Sequence, residues 1–132
     1  MDEDVKVLLI EDDEATADMY RLRLQRDGYV VVHARDGEEG LRLARDERPD
    51  LVYMDVRMPK MDGFEVLRRL RADPSTIAMP VIMLSQFSEP ELRAQGLELG
   101  ALDYLVKADT TPAQLSETTE RWAENATTRT AE

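Results

Sequence analysis

The residues best suited to chemistry in this sequence follow four short apolar segments. They are Glu11, Asp12 and Asp13 after the first segment, Asp55 after a central one, and Ser85 and Lys107 after two later ones. Carboxylates held close together repel one another and raise each other's pKa, so a positive charge must lie among them. The candidates are the ammonium of Lys107 and a hard divalent cation such as Mg2+, which takes oxygen ligands. Because an Asp carboxylate can also form an acyl phosphate, these residue types together suit a phosphoryl transfer.

Asp55 occupies the most informative position of the set. It follows the uninterrupted apolar run Leu51–Met54, which is typical of a strand buried on both faces of a parallel sheet. The pair Asp62-Gly63 then predicts the start of a helix. The acid therefore lies at the carboxyl end of a strand, where open α/β sheets bind ligands. Placed between Mg2+ and Lys107, it could attack a phosphoryl donor in line while both cations stabilise the equatorial oxygens.

Five strand-like segments alternate with five helix-like segments along the chain. The strands are predicted at residues 5–10, 29–33, 51–54, 81–84 and 102–106, and the helices begin near residues 15, 37, 62, 90 and 112. This alternation predicts an α/β fold with a five-stranded parallel sheet and helices on both faces. The expected strand order is 2-1-3-4-5, as in flavodoxin-like folds. In that order the four polar sets converge on one cleft, where the Ser85 hydroxyl could hydrogen-bond a new phosphoryl oxygen.

Helical spacing also predicts which side chains the helices bury. For the first helix the predicted inward face is Ala15, Met19 and Leu22, with Tyr20 and Leu24 beside it. For the fourth and last helices the predicted inward residues are Leu92, Gly96, Leu99, Leu115, Thr119 and Trp122. Ser88 is predicted to cap the fourth helix.

Composition limits the classes of function. The chain has 132 residues, which is typical of one domain, and its net charge of −11 repels nucleic acids and anionic membrane surfaces. It contains no cysteine, which excludes disulfides and thiolate metal sites, and its acidic N-terminus is unlike a signal peptide. We therefore expect a cytoplasmic protein with a single domain over residues 1–126, a flexible C-terminal tail over residues 127–132, and no output domain.

The sequence resembles the receiver domains of two-component response regulators over about residues 5–125. The resemblance rests on LLIEDDE after the first strand, MDVRMPKMDG around Asp55, MLS at the fourth strand and DYLVK at the fifth. It implies that Asp55 accepts a phosphoryl group from a histidine kinase or a histidine phosphotransfer protein in a Mg2+-dependent reaction. A domain of this kind is a phosphoacceptor for signalling rather than an enzyme acting on a separate substrate.

The resemblance also implies roles for the residues around the acceptor. Asp12 would bind the metal directly, Glu11 would bind it through water, and the backbone carbonyl of Arg57 would be a further ligand. Ser85 and Tyr104 would be the switch pair, the hydroxyl moving to the phosphoryl group and the ring turning inward. The part played by Asp13 is left open. The surface that changes would lie at residues 88–124 and would bind a downstream protein or a second copy of the chain.

The sequence departs from the family's usual pattern at several positions. Gln86 stands where the family usually has a small residue, and its long side chain would narrow the route to the acceptor. Arg57 and Phe87 occupy two variable positions that border the phosphoryl site. Ala108 stands where a proline usually follows the lysine. Because a cis bond before a residue other than proline costs about 3–4 kcal/mol, we predict that the Lys107–Ala108 bond is trans.

Several other interpretations compete with a phosphoacceptor site. The acids at residues 11–14 could be the solvated start of a helix, and His33 is expected to be an ordinary strand residue. A flavodoxin-type cofactor carrier is disfavoured because acids after the first strand would repel a phosphate. A phosphatase of the haloacid dehalogenase type would need a second Asp where Arg57 stands. The strongest rival is a degenerate receiver that binds proteins without being phosphorylated.

Overall fold

The computed structural model describes the backbone of residues 4–131 and the side chains of residues 4–123. Strands and helices alternate throughout. The strands are β1 (Lys6–Ile10), β2 (Val30–Ala34), β3 (Leu51–Met54), β4 (Val81–Ser85) and β5 (Asp103–Val106). The helices are α1 (Glu14–Arg26), α2 (Gly37–Glu47), α3 (Gly63–Ala72), α4 (Pro90–Glu98) and α5 (Pro112–Ala131), with a short 3-10 helix at Lys107–Asp109.

The strands form one parallel sheet in the order β2-β1-β3-β4-β5, which confirms the predicted fold. The central strand β3 is buried along its whole length, and its side chains alternate between two hydrophobic clusters. Val52 and Met54 face the cluster formed with α2, α3 and α4, whereas Leu51 and Tyr53 face the cluster formed with α1 and α5. The helices therefore cover both faces of the sheet, and the carboxyl ends of the parallel strands lie at one edge.

Aspartates begin three of the helices. The side chains of Asp13, Asp36 and Asp62 each accept a hydrogen bond from the backbone N–H three residues later, at 3.0, 2.9 and 3.0 Å. Such caps satisfy donors that have no partner inside the helix. The cap predicted at Ser88 is wrong, because α4 begins after Glu89 and has no side-chain cap.

The predicted inward face of α1 is wrong for Ala15, Met19 and Leu22, whereas Tyr20 and Leu24, which were predicted beside it, are buried. The buried residues are Ala17, Tyr20 and Leu24, whereas Met19 and Leu22 are 45% and 58% exposed. The helix carries apolar residues around most of its circumference, so helical spacing alone did not identify the stripe that packs on the sheet. The prediction for α4 is confirmed, since Gly96 is buried and Leu92 and Leu99 pack against the core.

The end of the chain extends the last helix. α5 runs to Ala131, so it overlaps most of the segment 127–132 that the sequence analysis assigns to a tail, and the domain limits stay a prediction. Leu115 and Thr119 on this helix are buried, as predicted, and Trp122 is partly buried beside them. No helix in the part of the chain that the structure describes is long and apolar enough to cross a membrane.

Candidate functional site

The sheet brings the predicted polar residues to one edge. Backbone hydrogen bonds continue just past the strand ends, from Asp55 N to Ile10 O at 3.0 Å and from Glu11 N to Ala34 O at 3.0 Å. These bonds hold the backbone of both acids in register with the sheet, so the strands and not mobile loops position them. Glu11 and Asp55 are 1% and 6% exposed. The edge therefore buries two carboxyl groups beside each other.

The Lys107 ammonium forms ion pairs with both carboxyl groups. It lies 3.0 Å from Asp55 Oδ2 and 2.6 Å from Glu11 Oε1. Burial alone would lower the pKa of this ammonium, but its contacts with Glu11 and Asp55 outweigh that effect and raise the pKa. Lys107 is therefore a fixed positive charge at the acceptor, as the sequence predicts for the residue after β5.

Glu11 is the most perturbed acid of the site. Burial raises its pKa to about 7, although its contact with Lys107 and the Asp13 N–H, which donates to Glu11 Oε2 at 3.0 Å, act in the opposite direction. Its other oxygen, Oε1, is in ion-pair contact with Lys107 but makes no well-directed hydrogen bond. This buried oxygen thus has capacity to bind a further positive charge.

The acids can hold a metal ion. Ligand oxygens of Glu11, Asp12 and Asp55 lie within 4.8 Å of one another, with Asp12 exposed and the other two buried. Carboxylate oxygens open to water on one side suit a hard divalent cation that keeps some of its water ligands. The incompletely bonded oxygen of Glu11 also fits such an ion. Arg57 lies on the exposed loop after β3, and its role as a carbonyl ligand stays a prediction.

Asp13 has a structural task that the sequence left open. It caps α1 by accepting from Thr16 N, and hydrogen bonds from Thr16 lower its pKa. Glu14 is the first residue of the same helix. The presence of these two acids is therefore explained by the start of α1, as the interpretation of residues 11–14 as a helix start proposed. It does not explain Glu11, which is buried against Lys107.

The predicted switch pair meets at the backbone of a third residue, Phe87. The oxygen of Ser85, which is fully buried, accepts a hydrogen bond from Phe87 N at 3.0 Å. The hydroxyl of Tyr104 donates to Phe87 O at 2.8 Å, and its ring is 2% exposed. The two side chains are thus coupled through one peptide segment, and the ring of Tyr104 points inward in this structure.

The variable positions also contact each other. The guanidinium carbon of Arg57 lies 4.8 Å from the centroid of the Phe87 ring, a distance typical of a cation–π contact. Gln86, between Ser85 and Phe87, is exposed. The described residues contain no cis peptide bond, so the bond between Lys107 and its successor is trans, as predicted.

Sequence reasoning missed two contacts at this edge. It placed Phe87 beside the site but not at the junction of the switch pair, because that role uses backbone atoms that any residue has. It treated His33 as an ordinary strand residue, and the structure gives it a structural contact, 2.8 Å between its Nε2 and Glu11 O. His33 is the next-to-last residue of β2, a strand that pairs with β1, and this position was the available signal.

Comparison with known proteins agrees with this geometry. The profile of the response regulator receiver domain family matches residues 7–120. The alkaline phosphatase synthesis transcriptional regulatory protein PhoP of Bacillus subtilis is 42% identical over 102 residues, which cover 77% of this chain and 42% of that protein. This chain therefore spans less than half the length of that relative.

Solved structures show the same fold. Chemotaxis protein CheY4 of Vibrio cholerae is 35% identical with a TM-score of 0.84, covering 90% of this chain and 98% of that one. A CheY-like receiver domain protein of Methanospirillum hungatei is 26% identical with a TM-score of 0.88, covering 96% and 99%. The chain therefore belongs to the response regulator receiver domain family, whose members are phosphoacceptor signalling modules and not conventional enzymes.

Proposed function

We propose that Asp55 accepts a phosphoryl group from the phosphohistidine of a histidine kinase or a histidine phosphotransfer protein. In this step the bond between phosphorus and imidazole nitrogen breaks, and a bond between phosphorus and an Asp55 oxygen forms. The observation that carries the proposal is the position of the Lys107 ammonium, 3.0 Å from Asp55 and 2.6 Å from Glu11. A fixed cation at a nucleophilic carboxylate can stabilise the negative charge of the phosphoryl group being transferred.

Mg2+ is the metal that we propose for the acidic cluster. Asp12 and Asp55 would bind it directly, Glu11 would bind it through water, and the carbonyl of Arg57 would complete the protein ligands. When bound, Mg2+ would neutralise charge on the phosphoryl oxygens. The three acids with ligand oxygens within 4.8 Å of one another support this assignment. The Ser85 hydroxyl would leave Phe87 N and donate to a phosphoryl oxygen.

We propose that phosphorylation changes the surface formed by residues 88–124. Ser85 and Tyr104 both hold the backbone of Phe87, so movement of one is transmitted to the loop before α4. The partner that binds this surface would be a downstream protein or a second copy of the chain. Nucleic acid and membrane are disfavoured as direct partners by the net charge of −11. The cytoplasmic location expected from the sequence stays a prediction.

The names of the similar proteins point to different outputs, so they do not identify the partner of this surface. One is a transcriptional regulatory protein and another a chemotaxis protein, and the chain spans less than half of the first. The proposed output is therefore limited to protein binding by the changed surface. A receiver that binds proteins without being phosphorylated remains the alternative, and the experiment below separates the two.

The test is phosphorylation by a small donor followed by intact mass. Incubation with acetyl phosphate or phosphoramidate and Mg2+ should add one phosphoryl group to the wild-type chain. Asp55→Asn and chelation of the metal should each abolish the addition, whereas Asp46→Asn, at an exposed acid of α2, should not. Labelling that survives Asp55→Asn would show that another residue is the acceptor. No labelling of the wild type would favour the phosphorylation-independent alternative.

A further inference from the structure

Tyr20 is a buried tyrosine of α1 whose hydroxyl reaches the loop that carries Lys107. The residue is 1% exposed, and its hydroxyl donates to Thr110 O at 2.9 Å, across a separation of 90 positions in sequence. Burial raises the pKa of Tyr20, so the hydroxyl keeps its proton and remains a donor at neutral pH. The rest of its ring packs in the hydrophobic cluster between the sheet and helices α1 and α5.

Thr110 in turn holds the backbone on both sides of the lysine. Its N–H donates to Lys107 O at 3.2 Å, and its side-chain hydroxyl donates to Val106 O at 2.8 Å. These bonds close the single turn of 3-10 helix at Lys107–Asp109. A continuous set of hydrogen bonds therefore runs from the Tyr20 hydroxyl through Thr110 to the carbonyl oxygens of Val106 and Lys107. These carbonyls belong to the backbone from which the Lys107 side chain extends.

These hydrogen bonds restrain the backbone that carries Lys107. Ala108, directly after the lysine, is exposed and has no ring to fix its backbone. The lysine must nevertheless reach two carboxylates at once, at 3.0 and 2.6 Å. Misplacement of a reacting or stabilising group by about 1 Å can cost a hundredfold in rate. A restraint that acts through the backbone from α1 would keep the ammonium in place.

We infer that Tyr20 is a positioning residue for phosphoryl transfer: its hydroxyl, acting through Thr110, holds the Lys107 loop so that the ammonium stays directed at Asp55. This inference rests on the function proposed above. It assigns to α1 a role in positioning the loop after β5, in addition to packing on the sheet. Nothing in the inference requires Tyr20 to touch the phosphoryl group.

The test compares two tyrosine-to-phenylalanine variants. Tyr20→Phe removes only the hydroxyl and keeps the buried ring. Tyr53→Phe is a matched control, because the Tyr53 hydroxyl is also buried but bonds to Thr119 Oγ1 at 2.7 Å and to Leu115 O at 3.2 Å on α5. With acetyl phosphate and Mg2+, Tyr20→Phe should slow phosphorylation by about three- to tenfold, the loss expected for one hydrogen bond. Tyr53→Phe should stay within about twofold of the wild type.

A double-mutant cycle separates positioning from general structural damage. If Tyr20 acts through the lysine, the effect of Tyr20→Phe should disappear when Lys107→Gln is already present. Equal slowing by Tyr20→Phe and Tyr53→Phe would overturn the inference, as would a Tyr20→Phe rate equal to the wild type. Slowing that persists in the Lys107→Gln background would overturn it as well.

A second measurement does not depend on phosphorylation. The carbon and proton resonances of the Lys107 ε-methylene, recorded at fixed pH with a chelator, should move in Tyr20→Phe and not in Tyr53→Phe. If the wild type is not phosphorylated at Asp55, the proposed function fails, and this measurement still decides whether Tyr20 positions the lysine. Unchanged Lys107 resonances in Tyr20→Phe would then overturn the inference.

Discussion

The ammonium of Lys107 lies 2.6 Å from Glu11 Oε1, yet burial raises the pKa of this carboxyl to about 7. An acid whose pKa is higher in the folded state keeps its proton there while the unfolded chain has lost it. Between the ordinary pKa of 4.5 and about 7 the folded state therefore binds more protons. Its stability falls as pH rises through that interval, and the contribution is fully present only below pH 4.5.

Glu11→Gln should remove this dependence. In the presence of a chelator, we expect the free energy of unfolding of the wild type to fall relative to that of Glu11→Gln by about 3 kcal/mol between pH 4.5 and pH 8. Urea denaturation at several pH values measures the difference, and comparison with the variant cancels the other titrating groups. A difference that does not change with pH would contradict the raised pKa of Glu11.

Lys107 and a divalent cation compete for the same carboxylates. Lys107→Gln removes one positive charge beside Glu11 and Asp55, so we expect the unphosphorylated chain to bind Mg2+ about tenfold more tightly, even though its phosphorylation becomes slower. Lys6→Gln is the control, since it removes the same charge from a lysine that pairs with Glu47 at 3.1 Å. Titration calorimetry gives both affinities. Equal Mg2+ affinities of Lys107→Gln and Lys6→Gln would show that the metal does not lie beside Lys107.

Gly63 is required by the geometry of the acceptor strand. A Cβ at this position would lie 2.1 Å from the Asp55 carbonyl oxygen, which is backbone and cannot turn away. We expect Gly63→Ala to lower the free energy of unfolding by about 2–4 kcal/mol. Gly96→Ala is the control, because its nearest contact would be the Met83 side chain at 3.3 Å. Equal losses in urea denaturation of the two variants would contradict the importance of this close approach.

The Asp-Gly pair at residues 62 and 63 illustrates what the sequence could predict. Alternating apolar runs and turn residues predicted a parallel sheet, and the strand order common among five-stranded doubly wound folds predicted that Asp55 and Lys107 converge at one edge, as the structure confirms. The same pair predicted the start of α3. The sequence gives no direct sign that a side chain at residue 63 would collide with the acceptor backbone, since that contact depends on how the loop folds back.

Contacts between distant elements explain the remaining differences. The packing face of α1 was mispredicted because both Met19 and Tyr20 are apolar enough to face the sheet, and only the packed helix orientation decides between them. The bond from Tyr20 to Thr110 joins parts of the chain 90 positions apart. Burial of Glu11 but not of Asp12 likewise follows from where the β1 backbone leaves the sheet. None of these relationships has a local sequence signal.

Gln86 is exposed, so its long side chain is available to cover the site or to extend away from it. If the side chain narrows the route to Asp55, Gln86→Ala should speed phosphorylation by acetyl phosphate severalfold, because a small donor reaches the acceptor more easily. Gln25→Ala, at an exposed glutamine of α1, should have no effect. The rates are measured by intact mass. Equal rates for the wild type and Gln86→Ala would show that the Gln86 side chain extends away from the route to Asp55.

The last prediction concerns how the signal leaves the site. Ser85 accepts a hydrogen bond from Phe87 N at 3.0 Å, and Tyr104 donates one to Phe87 O at 2.8 Å. A phosphoryl group adds about −1.5 to −2 charge and would attract the Ser85 hydroxyl, leaving the Phe87 N–H without this acceptor. The same residue stacks on the Arg57 guanidinium. We therefore expect Phe87 to move, and with it the loop that leads into α4.

Beryllofluoride with Mg2+, which mimics the phosphoryl group, makes this measurable by amide shifts. In the wild type, shifts should extend from the loops around Asp55 to Phe87, to α4 and to β5. Tyr104→Phe keeps the buried ring but cuts the bond to Phe87 O, so shifts near Asp55 should persist while those in α4 fall by at least about half, as expected for a two-state element that has lost one coupling contact. Shifts that stay confined to the loops around Asp55 in the wild type would contradict the output surface at residues 88–124, because no movement would then reach it.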